Sequence, residues 1–139
     1  MTSKLLLDTN FFIDVALEER PEHREATDLL KACTNGAFLG IVSSLSLKDF
    51  FYITRKSLSS TKAHTWIQII MAICEVSPVD RTTCQQALLS NNPDFEDALI
   101  EETVAETQAD YLITRDYRGF GELSTPRLSA AEFLALQEP

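Results

Sequence analysis

Leu5-Leu6-Leu7-Asp8-Thr9-Asn10, with Phe11 and Phe12 behind it, decides how this 139-residue chain is read. The three leucines form a short apolar run with no polar alternation, the pattern of a strand covered on both faces. The run stops at Asp8-Thr9-Asn10, side chains that accept from the free N–H groups of a helix start. Phe11, Phe12, Val15 and Ala16 then recur at helical spacing.

The same alternation continues outward. Pro21 suits the first turn of a second helix, whose apolar face is Ala26, Leu29, Leu30 and Cys33 and whose stop is Asn35-Gly36. Phe38 to Val42 reads as a buried strand, and Ser43, Ser44 or Ser46 can cap the helix that carries Leu47, Phe50, Phe51 and Ile53. Ser59-Ser60-Thr61 starts a helix with Trp66, Ile69, Ile70 and Ile73 as its stripe. Glu75 to Val79 is a short strand, and Asp80 caps the helix after it. Asn91-Asn92-Pro93 breaks the chain before a helix from about Asp94 to Gln108. Tyr111 to Thr114 and Leu128 mark two more strands, and Ser129-x-x-Glu132 is a capping box for a terminal helix. Strands alternating with helices predict an α/β fold with a parallel sheet covered on both faces.

Composition narrows the function. Length alone predicts a single domain over residues 1–139. Twelve Lys and Arg against 21 Asp and Glu give a net charge of -9, which excludes a nucleic-acid binder working by bulk positive charge. Lys48, Arg55, Lys56, Lys62, Arg115 and Arg118 remain available for phosphate contacts. The Phe50-Phe51-Tyr52 stretch and Trp66 read as core and dimer surface. Cys33, Cys74 and Cys84 form no C-x-x-C pair, so they read as reduced thiols of a cytoplasmic protein. His23 and His64 have no ligand partner at metal-binding spacing. No signal-peptide pattern precedes Asp8, and the longest apolar run, Trp66 to Cys74, is too short for a bilayer.

Four carboxylates fall where such a sheet binds ligands, outside the carboxyl ends of its strands. Asp8 follows the first strand. Asp49 is expected in the first turn of the helix after the second, with Ser46-x-x-Asp49 as its capping box. Asp97 lies in the first turns of the helix after Pro93, and Asp116 follows the strand that ends at Thr114. Each has an ordinary alternative: Asp8 as an N-cap, Asp94 as the cap of the helix holding Asp97, Asp116 in an Asx turn before Gly119. Glu101 and Glu102 read as solvated. Together the four would repel one another unless a hard divalent cation neutralised them. With no His or Cys on offer, oxygen-ligated Mg²⁺ or Mn²⁺ fits, and a carboxylate-held ion in a cleft is a device for hydrolysing phosphodiesters.

Leu5-Leu6-Leu7-Asp8-Thr9-Asn10, Ser43 to Ile53, Pro93-Asp94-Phe95-Glu96-Asp97-Ala98-Leu99 and Tyr111-Leu112-Ile113-Thr114-Arg115-Asp116 resemble the four motif regions of PIN domains, most closely the small bacterial toxins of the VapC type. The resemblance runs in order over nearly the whole chain. It implies a three-layer α/β/α fold with a central parallel sheet of about five strands. It implies a Mg²⁺- or Mn²⁺-dependent endoribonuclease, often a homodimer and often inhibited by a small antitoxin. Carried over by motif, Asp8, Asp49, Asp97 and Asp116 would form the catalytic and metal-binding site. Asn10, Asp94, Thr114 and one of Ser43 or Ser44 would support them. Two positions depart from the pattern: Asp49 stands where Glu is more frequent, and Gly119-Phe120 where the last motif often continues as Asp-Phe. These departures and the acidic charge motivate the alternative, a catalytically silent PIN-like module that binds RNA or a protein. An aspartyl phosphatase would need a second acid where Asn10 stands.

Overall fold

The computed structural model describes residues 1–116, 119–120 and 123–138. Five parallel strands form one sheet in the order β3-β2-β1-β4-β5. In chain order these are β1 (Lys4–Leu7), β2 (Leu39–Ser43), β3 (Glu75–Ser77), β4 (Tyr111–Ile113) and β5 (Arg127–Leu128). Between them run α1 (Thr9–Ala16), α2 (His23–Thr34), α3 (Ser44–Thr54), α4 (Ser60–Ile73), α5 (Arg81–Leu89) and α6 (Phe95–Thr107), and α7 (Ala130–Gln137) follows β5.

Alternation along the strands explains the layers. Leu5, Leu7, Val42 and Ile113 face a core built with Phe11, Phe12, Leu29, Phe50, Ile70 and Phe133. Leu6, Ile41 and Leu112 face the opposite side, against Val104 of α6 and Phe120. The central leucines are fully buried. This is the three-layer α/β/α architecture expected from the sequence.

Local chemistry sets the element ends. Asp8 Oδ1 accepts from Thr9 N at 2.8 Å, so the first acid also caps α1. Gly36, with φ +82°, ends α2: Gly36 N donates to Cys33 O and Ala37 N to Ala32 O, the bond pair of a helix stop that needs a left-handed residue. At Gly40 an added Cβ would meet Cys74 Sγ at 3.1 Å, Leu7 Cδ1 at 3.2 Å and Cys33 Sγ at 3.4 Å. A bare strand position thus lets two helices' thiols pack onto β2. Burial pushes the Cys33 thiol up to about 11 and the Cys74 thiol up to about 12, which keeps both uncharged at neutral pH.

Several expectations shift by a residue or more. The second strand is Leu39–Ser43, the third ends at Ser77 and the fourth at Ile113. The second helix starts at His23, after Pro21. The N-cap of α3 is Ser43, whose Oγ accepts from Leu45 N at 3.2 Å, so the expected Ser46-x-x-Asp49 box does not form and Ser46 is buried inside the helix. Asp49 therefore lies in the second turn of α3 and not the first. The capping boxes at Asp80 and Ser129 form as hydrogen-bonded pairs. No helix among the described residues is long and apolar enough to cross a membrane.

Candidate active site

The strand order reverses direction at β1: the chain builds outward through β2 and β3, then returns to place β4 on the other side of β1. The carboxyl end of β1 runs into α1 and that of β4 into the loop before β5, and a crevice opens at this switch point. A cavity of about 600 Å³ lies there, and Asp8, Asp49, Asp97 and Asp116 all line it, with Asn10 and Ser43 beside them. Tyr52, Phe95 and Phe120 supply much of its apolar wall.

Asp8 is held from two sides. Thr9 N donates to one oxygen, and Thr114 Oγ1 donates to the other at 2.9 Å. Thr114 Oγ1 in turn accepts from Asn10 Nδ2 at 3.1 Å and from Asp116 N at 3.1 Å. Asn10 Oδ1 accepts from Arg115 N at 3.2 Å. One threonine hydroxyl therefore ties the first acid, the last acid and Asn10 together across the β1–β4 seam. Behind it, Arg115 Nε and Nη2 donate to the two oxygens of Asp14 at 2.7 and 3.1 Å, and Asp14 is 2% exposed. Glu22 adds a longer ion pair to Arg115 at 3.8 Å.

Asp97 is aimed by its own helix start. Asp94 caps α6, accepting from Asp97 N at 3.1 Å. Asp116 Oδ1 accepts from Gly119 N at 3.0 Å, the expected Asx turn, and Asp116 lines the cavity. A Cβ on Gly119 would sit 2.8 Å from Asp116 Oδ2 and 2.8 Å from Asp97 Oδ2. Two carboxylate oxygens from distant elements thus converge beside Gly119, and any larger side chain there would have to displace them.

Repulsion couples the four acids to one another. Burial first, then Asp116 and Asp49, raise the Asp8 carboxyl above the ordinary value, while the bonds from Thr9 and Thr114 oppose the rise. Burial first, then Asp94, Asp116, Glu101 and Asp8, raise that of Asp97. Asp49 is more open: its carboxylate pairs with Lys48 Nζ at 3.2 Å and its side chain is 45% exposed. Among the described residues, no three His, Cys, Asp or Glu side chains stand close enough to hold a metal ion as they are. The donor set nonetheless fits a hard cation. Mg²⁺ commonly takes one or two protein carboxylates and keeps water elsewhere, and the Asp97–Asp116 convergence offers such a pair.

The supporting residues sort clearly. Thr114 contacts Asp8 and the Asp116 backbone directly, Asn10 acts through Thr114 and the Arg115 backbone, and Asp94 acts through the Asp97 backbone. Ser43 lines the cavity while its hydroxyl caps α3. Ser44 is turned away, accepting from Val79 N at 3.1 Å. Glu101, expected to be solvated, is half-buried, accepts from Asn92 Nδ2 at 3.2 Å and raises Asp97. Its i, i+4 spacing from Asp97 carried that signal. Sequence reading missed the Asp14–Arg115 pair, whose partners are separated by 101 positions. Arg118 lies outside the described residues.

A PIN domain family model matches residues 4–118. Among solved structures, the chain is similar to the VapC20 toxin of Mycobacterium tuberculosis, described as cleaving the sarcin-ricin loop, with a TM-score of 0.68 at 15% identity over 82% of this chain and 91% of that one. It is similar to a toxin-antitoxin complex from Klebsiella pneumoniae, with a TM-score of 0.67 at 18% identity over 91% and 97%. It is also similar to DNA-bound VapBC from Salmonella typhimurium, with a TM-score of 0.65 at 19% identity over 92% and 98%. No curated protein matches the chain at a significant level.

Proposed function

The chain belongs to the PIN domain family, and from that premise we propose that it is a Mg²⁺- or Mn²⁺-dependent endoribonuclease, the toxin of a toxin-antitoxin pair. The observation that carries the reading is the meeting of Asp97 and Asp116 oxygens beside Gly119, in the cavity that Asp8 and Asp49 also line.

In this reading Asp8, Asp97 and Asp116 hold the ion, directly or through water. When bound, the ion neutralises phosphate charge and lowers the pKa of water. Thr114 fixes the Asp8 carboxylate, and Asn10 fixes Thr114. Asp49, the most open of the four, orients the attacking water or takes its proton. An antitoxin with Arg or Lys would neutralise the cavity as the ion does. A second copy of this chain would cover exposed apolar residues such as Ile53, Met71, Leu88 and Leu89.

RNA cleavage in Mg²⁺ or Mn²⁺, comparing wild type with Asp8→Asn and Asp97→Asn, tests the proposal. The wild type should cleave, and each variant should lose at least about 100-fold, the scale of a group acting on the reacting centre. Equal activity in all three would end it. A silent RNA- or protein-binding module is the second reading, favoured by the absence of any three side chains at ligand distance among the described residues. Calorimetry with Mn²⁺ separates the two, since saturable binding abolished by Asp97→Asn belongs to the nuclease alone.

A further inference from the structure

Charge is unevenly spread along this acidic chain. It carries 21 Asp and Glu, yet none occurs from Phe50 to Cys74, where Arg55, Lys56 and Lys62 stand. All three cations are exposed. They lie at the end of α3 and the start of α4, beyond the helix that supplies Asp49. Asp49 and Tyr52 stand at i, i+3 on α3, and Arg55 and Lys56 follow in the turn at its end, so one stripe leads outward from the acids.

Tyr52 is the second observation. It is 60% exposed and so not part of the core, while its neighbour Phe50 is fully buried. It lines the same cavity as the four acids. The Arg55 guanidinium sits 4.8 Å from the centre of its ring, a cation–π contact that steadies the side chain. An exposed aromatic beside clustered cations is the arrangement that holds single-stranded nucleic acid, one part taking bases and the other phosphates.

We propose that single-stranded RNA enters the site along this stripe, with a nucleobase stacked on Tyr52 and the flanking phosphates held by Arg55, Lys56 and Lys62. The inference rests on the ribonuclease reading and adds a path and a polarity to it. An unpaired base is required, because a duplex hides its faces from a side-chain platform. The stripe also explains how a chain of net charge -9 would take a polyanion: attraction is local and the rest of the surface repels.

Fluorescence anisotropy with a labelled 12-nucleotide oligouridylate, in EDTA so that no divalent ion bridges, tests the path apart from catalysis. Wild type should bind, with the logarithm of affinity falling linearly against the logarithm of salt. The triple variant Arg55→Gln/Lys56→Gln/Lys62→Gln should lower that slope by about 2, since single strands contribute about 0.7 per phosphate neutralised. Tyr52→Ala should weaken binding about 5-fold or more, and Tyr52→Phe should restore it, because stacking needs the ring and not the hydroxyl. Thermal melts confirm that these surface variants fold. An unchanged slope and affinity in the variants overturns the proposal, as does absence of RNA binding by wild type. Loss of binding to poly-L-glutamate with RNA affinity unchanged would make the patch a protein surface and overturn it too. Cleavage reports separately: a cleaving protein indifferent to these substitutions keeps the nuclease and loses the path, whereas RNA bound along the stripe without cleavage does the reverse.

Discussion

Gly119 is where a single atom decides the site. Its missing Cβ leaves room for Asp97 Oδ2 and Asp116 Oδ2 to meet, and a methyl at 2.8 Å from both must push them apart. Gly119→Ala should therefore fold, with a Tm within a few degrees of wild type, yet bind Mn²⁺ at least about 10-fold more weakly by calorimetry. Undiminished affinity would show that these two oxygens do not share the ion. The raised carboxyls make a second prediction at this scale. Asp97 in the unfolded chain loses its proton near the ordinary value of 3.8, while the folded form keeps it to higher pH. The folded state then binds more protons, so metal-free stability falls as pH rises from 3.8 through the raised value. Asp97→Asn removes that penalty. In EDTA its Tm should match wild type near pH 3.5 and lie above it at pH 7. A pH-independent difference would refute the repulsion.

At the scale of elements, the β1–β4 seam depends on a clamp behind it. Arg115 reaches from the end of β4 to both oxygens of Asp14 on α1, and its backbone N–H holds Asn10. Arg115→Ala leaves a buried carboxylate without its cation and should cost about 3 kcal/mol by denaturant unfolding. Adding Asp14→Asn should return part of that loss, whereas an additive double variant would deny the coupling. The seam also shows what could be read in advance. Leu5-Leu6-Leu7 and the Ser129 box were legible because burial on both faces and capping leave local patterns. Asp49 was placed a turn early because three serines within four residues can each cap α3, and only the last residue of β2 decides among them. Asp14 and Arg115 carried no local sign, since neither residue type nor spacing reveals a pairing made by strand order. Tyr52 was hidden in an apolar run, although a helix turns it about 200° from buried Phe50.

Across the whole molecule, the acids work against the fold that assembles them. A bound cation relieves this, so Mg²⁺ or Mn²⁺ at one hundred times its Kd should add about 2.7 kcal/mol of stability. Melting curves in EDTA and in metal would show it as a Tm rise of several degrees, reduced in Asp97→Asn. A wild type whose Tm ignores both metals contradicts the assigned role. The three layers are those the alternation of strands and helices implied, whereas the reversal at β1 left no sign in the order of elements and is set by which strands pair.

The pairing of β1 with β4 also bears on synthesis. Asp8 N donates to Ile113 O across that seam, and the four carboxylates are spread from position 8 to position 116. On the ribosome, a nascent chain carries the first two acids long before the strand that gathers them has emerged. No partial product ending short of residue 116 can complete the cluster.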